Sequence, residues 1–499
     1  MLVIGYISGS LYVLCMLVMS LYGLNAMITA ILFVLARRRP DREQTPPEPK
    51  EWPKVTVQLP VFNERYMLER LLGAVTRLDY PADRLQIQVL DDSTDDTALL
   101  SARLVEEYRA GGVNIECVFR IERGGYKAGA LAKGLETASG ELLAIFDADF
   151  IPAPDWLKRT VPQFQDPELG CLQTRWGHTN REYNLLTRAQ ALAMDAHFIV
   201  EQTARSRNHL FMNFNGSAGI WRRSCIEDTG GWQTNTLTED FDLSFRAQLQ
   251  GWKIRFLPEV IVPAELPASV EAFKKQQFRW AKGSIQVTRK IVGHLFRRPD
   301  IPPYKRISGL LQLTAYIVHP LMIIMLFLTL PVGLLAPRFF SIFPISILAT
   351  FGPPMLYAMA GAKETPSLAG RLKILPVITI IGFGISLNSA IAILEALIGK
   401  GGTFVRTPKL NLTNKPNSTR QIDRAYLQPI SPIVWGEIGL GLYSLLTIAL
   451  LEPGLGWAII PWMGVYWLGY FYIASLNLYQ HWQAQTSRSS FAINEHAQN

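Results

Sequence analysis

Pairs of aspartates follow two apolar runs of this 499-residue chain. The run "ELLAIF" leads into Asp147 and Asp149, and the run "LQIQVL" leads into Asp91 and Asp92. Carboxylates this close repel each other unless a cation or hydrogen-bond donors hold them. They suit a hard divalent cation, Mg²⁺ or Mn²⁺, that also binds phosphate oxygens. Taken alone, an Asp-x-Asp pattern is more often a solvated turn, and Asp91 and Asp92 could simply cap a helix.

Two further stretches offer groups for phosphate and proton chemistry. "RGGYKAGAL" combines glycines, Lys127 and a helix start, which together suit a diphosphate. "TLTEDFDLSF" places Glu239 and Asp240 in the first turn of a helix. Each stretch has a structural alternative, because a lysine can be solvated and acidic residues favour a helix start for dipole reasons.

A basic stretch, "KKQQFRWAKG", joins Gln276, Arg279 and Trp280. An amphipathic helix at a membrane surface could have the same composition. His197 and Glu201 lie four residues apart and therefore on one helix face. For this pair we expect packing or a hydrogen bond rather than metal binding.

Strands and helices alternate through the region that carries these groups. "KVTVQLPVF", "LQIQVLDDS", "VNIECVFRI" and "ELLAIFDAD" have strand character, whereas "LSARLVEEYRA" and "KAGALAKGLETA" have helical spacing. The alternation predicts an α/β domain with a largely parallel sheet. Ligands of such sheets bind beyond the carboxyl ends of the strands, which is where both aspartate pairs fall.

The composition indicates a membrane protein. Hydrophobic residues make up 49% and charged residues 18% of the chain, and the mean hydropathy is +0.13. Most of the net charge of +8 lies beside apolar segments, where basic residues mark the cytoplasmic side. Since no RNA-binding or zinc-finger pattern occurs, we expect a lipid bilayer and no nucleic acid as partner. The four cysteines are widely spaced, which argues against a disulfide framework or a zinc site.

Apolar and polar stretches divide the chain into eight segments. We expect an N-terminal transmembrane helix at 1–36, a linker at 37–51, a cytosolic catalytic domain at 52–273, an interfacial segment at 274–306, two transmembrane helices within 307–361, an interfacial helix and loop at 374–431, two transmembrane helices within 432–480 and a cytosolic tail at 481–499.

The placement of 374–398 decides the number of membrane spans. If this apolar stretch crossed the membrane, the basic loop 399–431 would lie outside, against the positive-inside rule. Within it Asn388 and Glu395 share one helix face, opposite an apolar face. We therefore predict an interfacial helix and five membrane spans in total.

The order of these motifs resembles that of the membrane-integrated family-2 processive glycosyltransferases, the group that contains cellulose, hyaluronan and mannan synthases. Within this group the chain is most similar to the cellulose-synthase-like A and C enzymes. The stretches that carry the resemblance are "VQLPVFNE", "IQVLDDSTDDT", "GYKAGAL", "AIFDADF", "DAHFIVEQ", "FNGSAGIWR" and "GGW". It implies a GT-A fold, a Rossmann-like domain for nucleotide-diphospho-sugars, inserted between transmembrane helices.

The resemblance also implies roles for the candidate residues. Asp240 would be the general base, Asp149 with Asp147 would hold the metal, and Trp280 would stack on the acceptor sugar. The implied donor-binding residues are Asp91, Asp92, Lys127, Asp147, Gln276 and Arg279.

The stretch "GKGGTFVRTPK", residues 399–409, resembles the gating loop of processive synthases, which usually reads Phe-x-Val-Thr. Phe404 and Thr407 match this pattern, whereas Arg406 replaces the valine. The departure leaves processivity open, although a basic residue there agrees with a cytosolic loop.

The resemblance implies an inverting, metal-dependent hexosyltransferase with Mg²⁺ or Mn²⁺ as cofactor. The donor would be UDP-glucose or GDP-mannose, and the product a β-linked polysaccharide exported across a bacterial inner membrane or a Golgi or plasma membrane. The alternative is a non-processive β-glycosyltransferase that makes a glycolipid on a ceramide or diacylglycerol acceptor. A transporter or scaffold without activity is a third reading, which the complete set of acidic motifs disfavours.

Overall fold

The computed structural model describes residues 1–38, 46–120, 122–361, 367–399, 402, 409–413 and 430–498. The strands are β1 (Val55–Val61), β2 (Leu85–Asp91), β3 (Ile115–Phe119), β4 (Leu142–Ile145), β5 (Leu169–His178), β6 (Gly219–Arg222) and β7 (Lys253–Ala264). The helices are α1 (Leu2–Arg38), α2 (Arg65–Val75), α3 (Thr97–Ala110), α4 (Tyr126–Thr137), α5 (Trp156–Thr160), α6 (Leu185–Asp195), α7 (Thr203–Arg207), α8 (Arg223–Asp228), α9 (Glu239–Leu249), α10 (Val270–Phe296), α11 (Pro303–Leu313), α12 (Val318–Leu335), α13 (Ser346–Met359), α14 (Leu368–Gly384), α15 (Ser386–Leu397) and α16 (Ile433–Gln498).

The strands form one mixed sheet in the order β3-β2-β1-β4-β6-β5-β7. β1 pairs in parallel with β2 and β4, and β5 pairs in parallel with β7. Only β6 runs against its neighbours β4 and β5 among these strands. The predicted, largely parallel α/β sheet is therefore present, and the carboxyl ends of β1, β2 and β4 meet at one edge.

Helices cover both faces of the sheet. All four residues of β4 are at most 1% exposed, which is typical of a strand buried on both sides. One core cluster joins Val57 and Leu59 to Leu68 of α2, and a second joins Leu143 to Leu131 of α4. These two cores fix the sheet edge at which the polar residues gather.

Four of the described helices are long and apolar enough to cross a membrane: Leu2–Arg38, Ala315–Leu335, Ile433–Glu452 and Ile459–Gln483. The bent pair α14 and α15 would add a fifth if it formed one span. The second of the two helices predicted within 307–361 is divided between a 3-10 helix, Pro337–Ile345, and α13. Gly352 of α13 lies against the backbone of Gly23 in α1, so this segment packs along the N-terminal helix.

The last helix, α16, contains both predicted C-terminal spans. Gly441 contacts the side chains of Phe471 and Tyr470, although an uninterrupted helix would hold residues thirty positions apart at about 45 Å. The chain must therefore reverse direction between these contacts. The two halves of α16 form an antiparallel pair.

The predicted interfacial stretch 374–398 is covered by α14 and α15, which meet at a 44° bend. Glu395 of α15 forms an ion pair of 2.8 Å with Lys282 of α10, and Asn388 donates to the Lys274 carbonyl. The predicted polar face thus contacts α10, whereas Leu394 on the other face is 55% exposed. This arrangement agrees with a helix lying beneath the catalytic domain, and the number of spans stays a prediction.

Candidate active site

A cavity of about 370 Å³ opens at the carboxyl ends of β1, β2 and β4. Its walls come from the loops after these strands, from the start of α9, from α10 and from α14. The predicted site residues that line it are Asp92, Lys127, Asp147, Asp149, Asp240, Gln276, Arg279 and Trp280. Residues that are up to 188 positions apart in the sequence therefore line the same cavity.

Lys127 holds the first carboxylate of the Asp-x-Asp pair. Its ammonium lies 2.5 Å from Asp147 Oδ1 and donates to the Gly216 carbonyl at 2.8 Å. The Ser217 hydroxyl and the backbone nitrogen of Asp147 are 2.9 Å apart. Burial lowers the pKa of Lys127, but the carboxylates of Asp147 and Glu239 reverse this effect and raise it. A charged lysine at the start of α4 suits a diphosphate group.

Asp240 is the second residue of α9 and points into the cavity beside Gly216. Its Oδ1 accepts a hydrogen bond of 2.8 Å from the Phe241 N–H. Gly216 has φ of +84°, and a Cβ there would lie 3.0 Å from Asp240 Oδ2, so a side chain would close this approach.

The surroundings of Asp240 shift the pKa of its carboxyl. Burial and the neighbouring carboxylate of Glu239 raise the pKa of Asp240 to about 7, against a smaller opposing effect of Lys127. A carboxylate with such a pKa can accept a proton near neutral pH.

Asp149 is bound by two donors that the motif analysis did not identify. Its Oδ2 accepts from the Glu265 N–H at 2.9 Å and from the Lys409 ammonium at 2.8 Å. Lys409 ends the stretch noted for its gating-loop pattern, which was a usable signal. Glu265 follows β7 in "PAELPAS", where no sequence pattern marks it.

The Asp-x-Asp pair fits a divalent cation. Asp147 and Asp149 supply hard carboxylate oxygens to the same cavity, and both contacts of the Asp149 carboxylate use Oδ2. Among the described residues no group of three His, Cys, Asp or Glu side chains could hold a metal. Phosphate oxygens of the donor and water would have to complete the shell, as is usual for Mg²⁺.

The two aspartates at the end of β2 have different surroundings, although we predicted both as donor-binding residues. Asp91 is 1% exposed and its carboxylate accepts from the Ser93 N–H and the Ser101 hydroxyl, so it fastens the start of α3 and does not line the cavity. Asp92 does line the cavity, where its carboxylate pairs with Arg120. Of the two, only Asp92 lines the cavity.

Arg123 is a cavity residue that the motif analysis passed over in favour of Lys127. Its guanidinium lies 3.2 Å from the ring centre of Phe62 and 5.1 Å from that of Tyr126. Burial lowers the pKa of Arg123, partly opposed by Asp92. A flat cation stacked on an aromatic ring beside Asp92 offers a surface for a nucleobase.

One face of α10 supplies the remaining predicted residues. Gln276, Arg279 and Trp280 all line the cavity. Burial lowers the pKa of Arg279, and the carboxylates of Glu239, Asp147 and Asp240 oppose this. Arg279 therefore adds positive charge opposite the acidic residues.

The predicted gating residues Phe404 and Thr407 lie outside the described part of the chain.

His197 and Glu201 form the expected hydrogen bond, with 2.9 Å between Nδ1 and Oε2. The other ring nitrogen of His197 contacts Asn215 Oδ1 at 2.9 Å, and Asn215 lines the cavity. This pair thus supports the cavity wall.

Comparison with known proteins identifies the domain that surrounds this cavity. Residues 53–283 match the family model described as "Glycosyltransferase like family 2". The chain contains a family-2 glycosyltransferase domain. This finding and the observed sheet confirm the predicted membership and the predicted GT-A fold class.

Two similar curated proteins come from plants. The chain is 42% identical over 263 residues to a probable glucomannan 4-beta-mannosyltransferase 11 of Arabidopsis thaliana, which covers 52% of this chain and 59% of the relative. It is 40% identical over 310 residues to glucomannan 4-beta-mannosyltransferase 1 of Oryza sativa subsp. japonica, covering 59% and 60%. The chain thus spans about 60% of these relatives' length.

Among solved structures, a mannosyltransferase from Pyrobaculum calidifontis in complex with GDP-mannose and Mn²⁺ superposes with a TM-score of 0.53. The alignment covers 79% of this chain and all of that chain, at 22% sequence identity. At this identity the likeness establishes the fold alone.

Proposed function

We propose that this protein is an inverting, metal-dependent β-mannan-type synthase that uses GDP-mannose and extends a β-linked polysaccharide. The observation that carries the proposal is the convergence of Lys127, Asp147 and Asp240 in one cavity within a family-2 domain. Mannose rather than glucose is proposed because the relatives at about 40% identity are named as mannosyltransferases.

The site residues divide the reaction between them. Asp240 takes the proton from a hydroxyl of the acceptor sugar, whose oxygen then attacks the anomeric carbon of the donor. The bond from that carbon to the diphosphate breaks on the opposite face, so an α-linked donor gives a β-linked product. Lys127 and Arg279 hold the negative charge of the departing nucleoside diphosphate. A divalent cation held by Asp147 and Asp149 would neutralise part of the same charge.

Trp280 is proposed as the platform for the acceptor. The axial C–H face of a β-linked sugar packs well on an aromatic ring, and the indole lies in the same cavity wall as Arg279.

We place the catalytic domain on the cytosolic side of the membrane. The segment Lys409–Leu412 lies on the same side, because it is bound directly to the domain. Export would then pass through the membrane helices.

A second candidate function is transfer of one sugar to a lipid. The cavity continues from the acidic residues to an aliphatic end formed by Ile378, Ile381 and Ile385. Such a wall favours an acyl chain over a hydroxyl-rich polymer. The two functions predict different products and are therefore separable.

Membranes containing the full chain test both functions. They would be incubated with labelled GDP-mannose or UDP-glucose and Mn²⁺, and the product extracted with organic solvent before sizing. We expect label from GDP-mannose in an insoluble polymer that an endo-β-mannanase degrades. Label that extracts into the solvent as a single-sugar lipid would establish the second function, and no transfer from any sugar nucleotide would overturn both.

A further inference from the structure

A short segment that follows the gating-like stretch is fastened across the carboxyl ends of the strands. The N–H groups of Leu410 and Leu412 donate to the two oxygens of the Glu265 carboxylate, at 2.9 and 2.8 Å. Thr179 donates to the Leu412 carbonyl at 3.3 Å. Asn411, held in the left-handed region at φ of +59°, accepts from Arg70 at 2.5 Å. We call residues 409–412 the strap.

The strap places a positive charge beside Asp149, the second residue of the Asp-x-Asp pair. The Lys409 ammonium lies 2.8 Å from Asp149 Oδ2 and also donates to the Glu265 carbonyl. The two side chains are 12% and 8% exposed, so water screens this pair little. Arg70 binds both the Asp149 carbonyl and Asn411, and thereby ties the strap to the loop that follows β4.

A divalent cation needs the same carboxylate. A Mg²⁺ or Ca²⁺ ion approaches its carboxylate ligands to about 2.0–2.6 Å. An ammonium already at hydrogen-bond distance from Oδ2 both fills part of that space and repels a second cation. Lys409 at Oδ2 therefore opposes a cation at Asp149 by charge repulsion and leaves Oδ1 as the oxygen that could bind it.

We propose that Lys409 is a built-in competitor of the catalytic cation, and that its ammonium at Asp149 weakens metal binding there. This inference rests on the proposed function in assigning the metal to Asp149. By linkage, a strap that is held down weakens metal binding, and metal binding loosens the strap to the same extent.

The test is Mn²⁺ binding to the purified full chain, measured by the electron paramagnetic resonance signal of free Mn²⁺ without nucleotide sugar. Lys409→Met removes the competing charge and should lower the Kd for Mn²⁺ at least about tenfold, which corresponds to about 1.4 kcal/mol. Lys409→Arg keeps a cation at this place and should leave the Kd near that of the parent. The matched control is Lys158→Met, which removes a surface lysine paired with Asp79.

Lys409→Gln provides a second test if the methionine variant does not fold, because glutamine can still donate to Asp149. Its Kd should also fall. An unchanged or weaker affinity in the folded variants would overturn the proposal. The titration needs neither donor nor acceptor, so its outcome is independent of sugar transfer. If the parent enzyme transfers sugar but the Lys409 variants bind Mn²⁺ no more tightly, the competition by Lys409 is overturned and the proposed function is not. A parent that transfers no sugar overturns the proposed function instead.

Discussion

Charge placement within a few ångströms determines what each acidic residue of the site can do. Asp91 accepts a hydrogen bond from the loop that leads into α3, Asp92 forms an ion pair with Arg120, and Asp147 forms one with Lys127. Asp240 differs from them because burial and Glu239 raise its pKa to about 7. These surroundings, and not the residue type, separate a structural carboxylate from a base.

Asp240→Asn should abolish sugar transfer and preserve donor binding, because the amide keeps the shape of the side chain but cannot accept the proton. We expect a loss of at least about a hundredfold in kcat, the usual scale for a general base. Transfer rate and nucleotide-sugar affinity would be measured in parallel. Asp300→Asn, which changes an exposed ion pair with Arg298, is the matched control. Near-parental turnover in Asp240→Asn would contradict the assignment.

The parent enzyme should show a rate that depends on the ionisation of Asp240. Below pH 7 the carboxyl is mostly protonated and cannot act as a base, so the rate should fall about tenfold per pH unit. Above pH 7 the rate should approach a plateau. A pH profile of kcat/KM from pH 5.5 to 8.5 tests this, because kcat/KM reports the ionisation of the free enzyme. A kcat/KM independent of pH across that range would exclude Asp240 as the base.

At the scale of elements, α10 connects the site to the membrane helices. It carries Gln276, Arg279 and Trp280, and its Lys274 forms an ion pair of 2.7 Å with Glu437 of α16. The two side chains are 1% and 0% exposed. A buried charge is stable only beside its partner, so this pair fixes where α10 meets α16.

Removing one partner of this pair should cost more than removing both. Glu437→Ala leaves the Lys274 charge buried and alone, which should destabilise the protein by about 3–5 kcal/mol. The double substitution Lys274→Met with Glu437→Leu should recover most of this loss. Unfolding midpoints in detergent would be compared with those of Asp79→Ala, which breaks an exposed pair. Equal midpoints for Glu437→Ala and the parent would show that the pair does not hold α10.

At the scale of the whole molecule, the strap lies against the catalytic domain. Leu410 and Leu412 are bound to Glu265 at the end of β7. The bent pair α14 and α15 ends nearby, where Arg289 of α10 donates to the Ala396 carbonyl at 2.6 Å. The pair therefore ends beneath the domain, as the proposed five-span arrangement requires.

Glycosylation in a eukaryotic host tests this arrangement through the sequon Asn411-Leu412-Thr413. A cytosolic strap should stay unmodified, whereas an acceptor sequence appended before Met1 should be glycosylated because α1 starts on the other side. Mobility before and after glycosidase treatment measures both, with Asn411→Gln as control. A glycan on Asn411 would require α14 and α15 to cross the membrane, and the five-span arrangement would be wrong.

The sequence by itself determined the features that are local in the chain. The apolar run before Asp147 had to be a buried strand, and the alternation of strands and helices required a sheet with its ligands at the carboxyl ends. The motif order from Asp92 to Trp280 then indicated the family, and residues 53–283 bear this out. Such features follow from backbone periodicity and spacing, which need no knowledge of the packing.

Only the tertiary structure decided which side chains face each other across long separations. Lys409 meets Asp149 from 260 positions away, and Lys274 meets Glu437 at the junction of two helices. Asp91 and Asp92 are adjacent in sequence, yet one points into the protein and the other into the cavity. These outcomes depend on how the strap, α10 and α16 pack against the sheet. Local patterns of residues in the sequence do not predict these contacts, because each contact is fixed by elements that are distant in sequence.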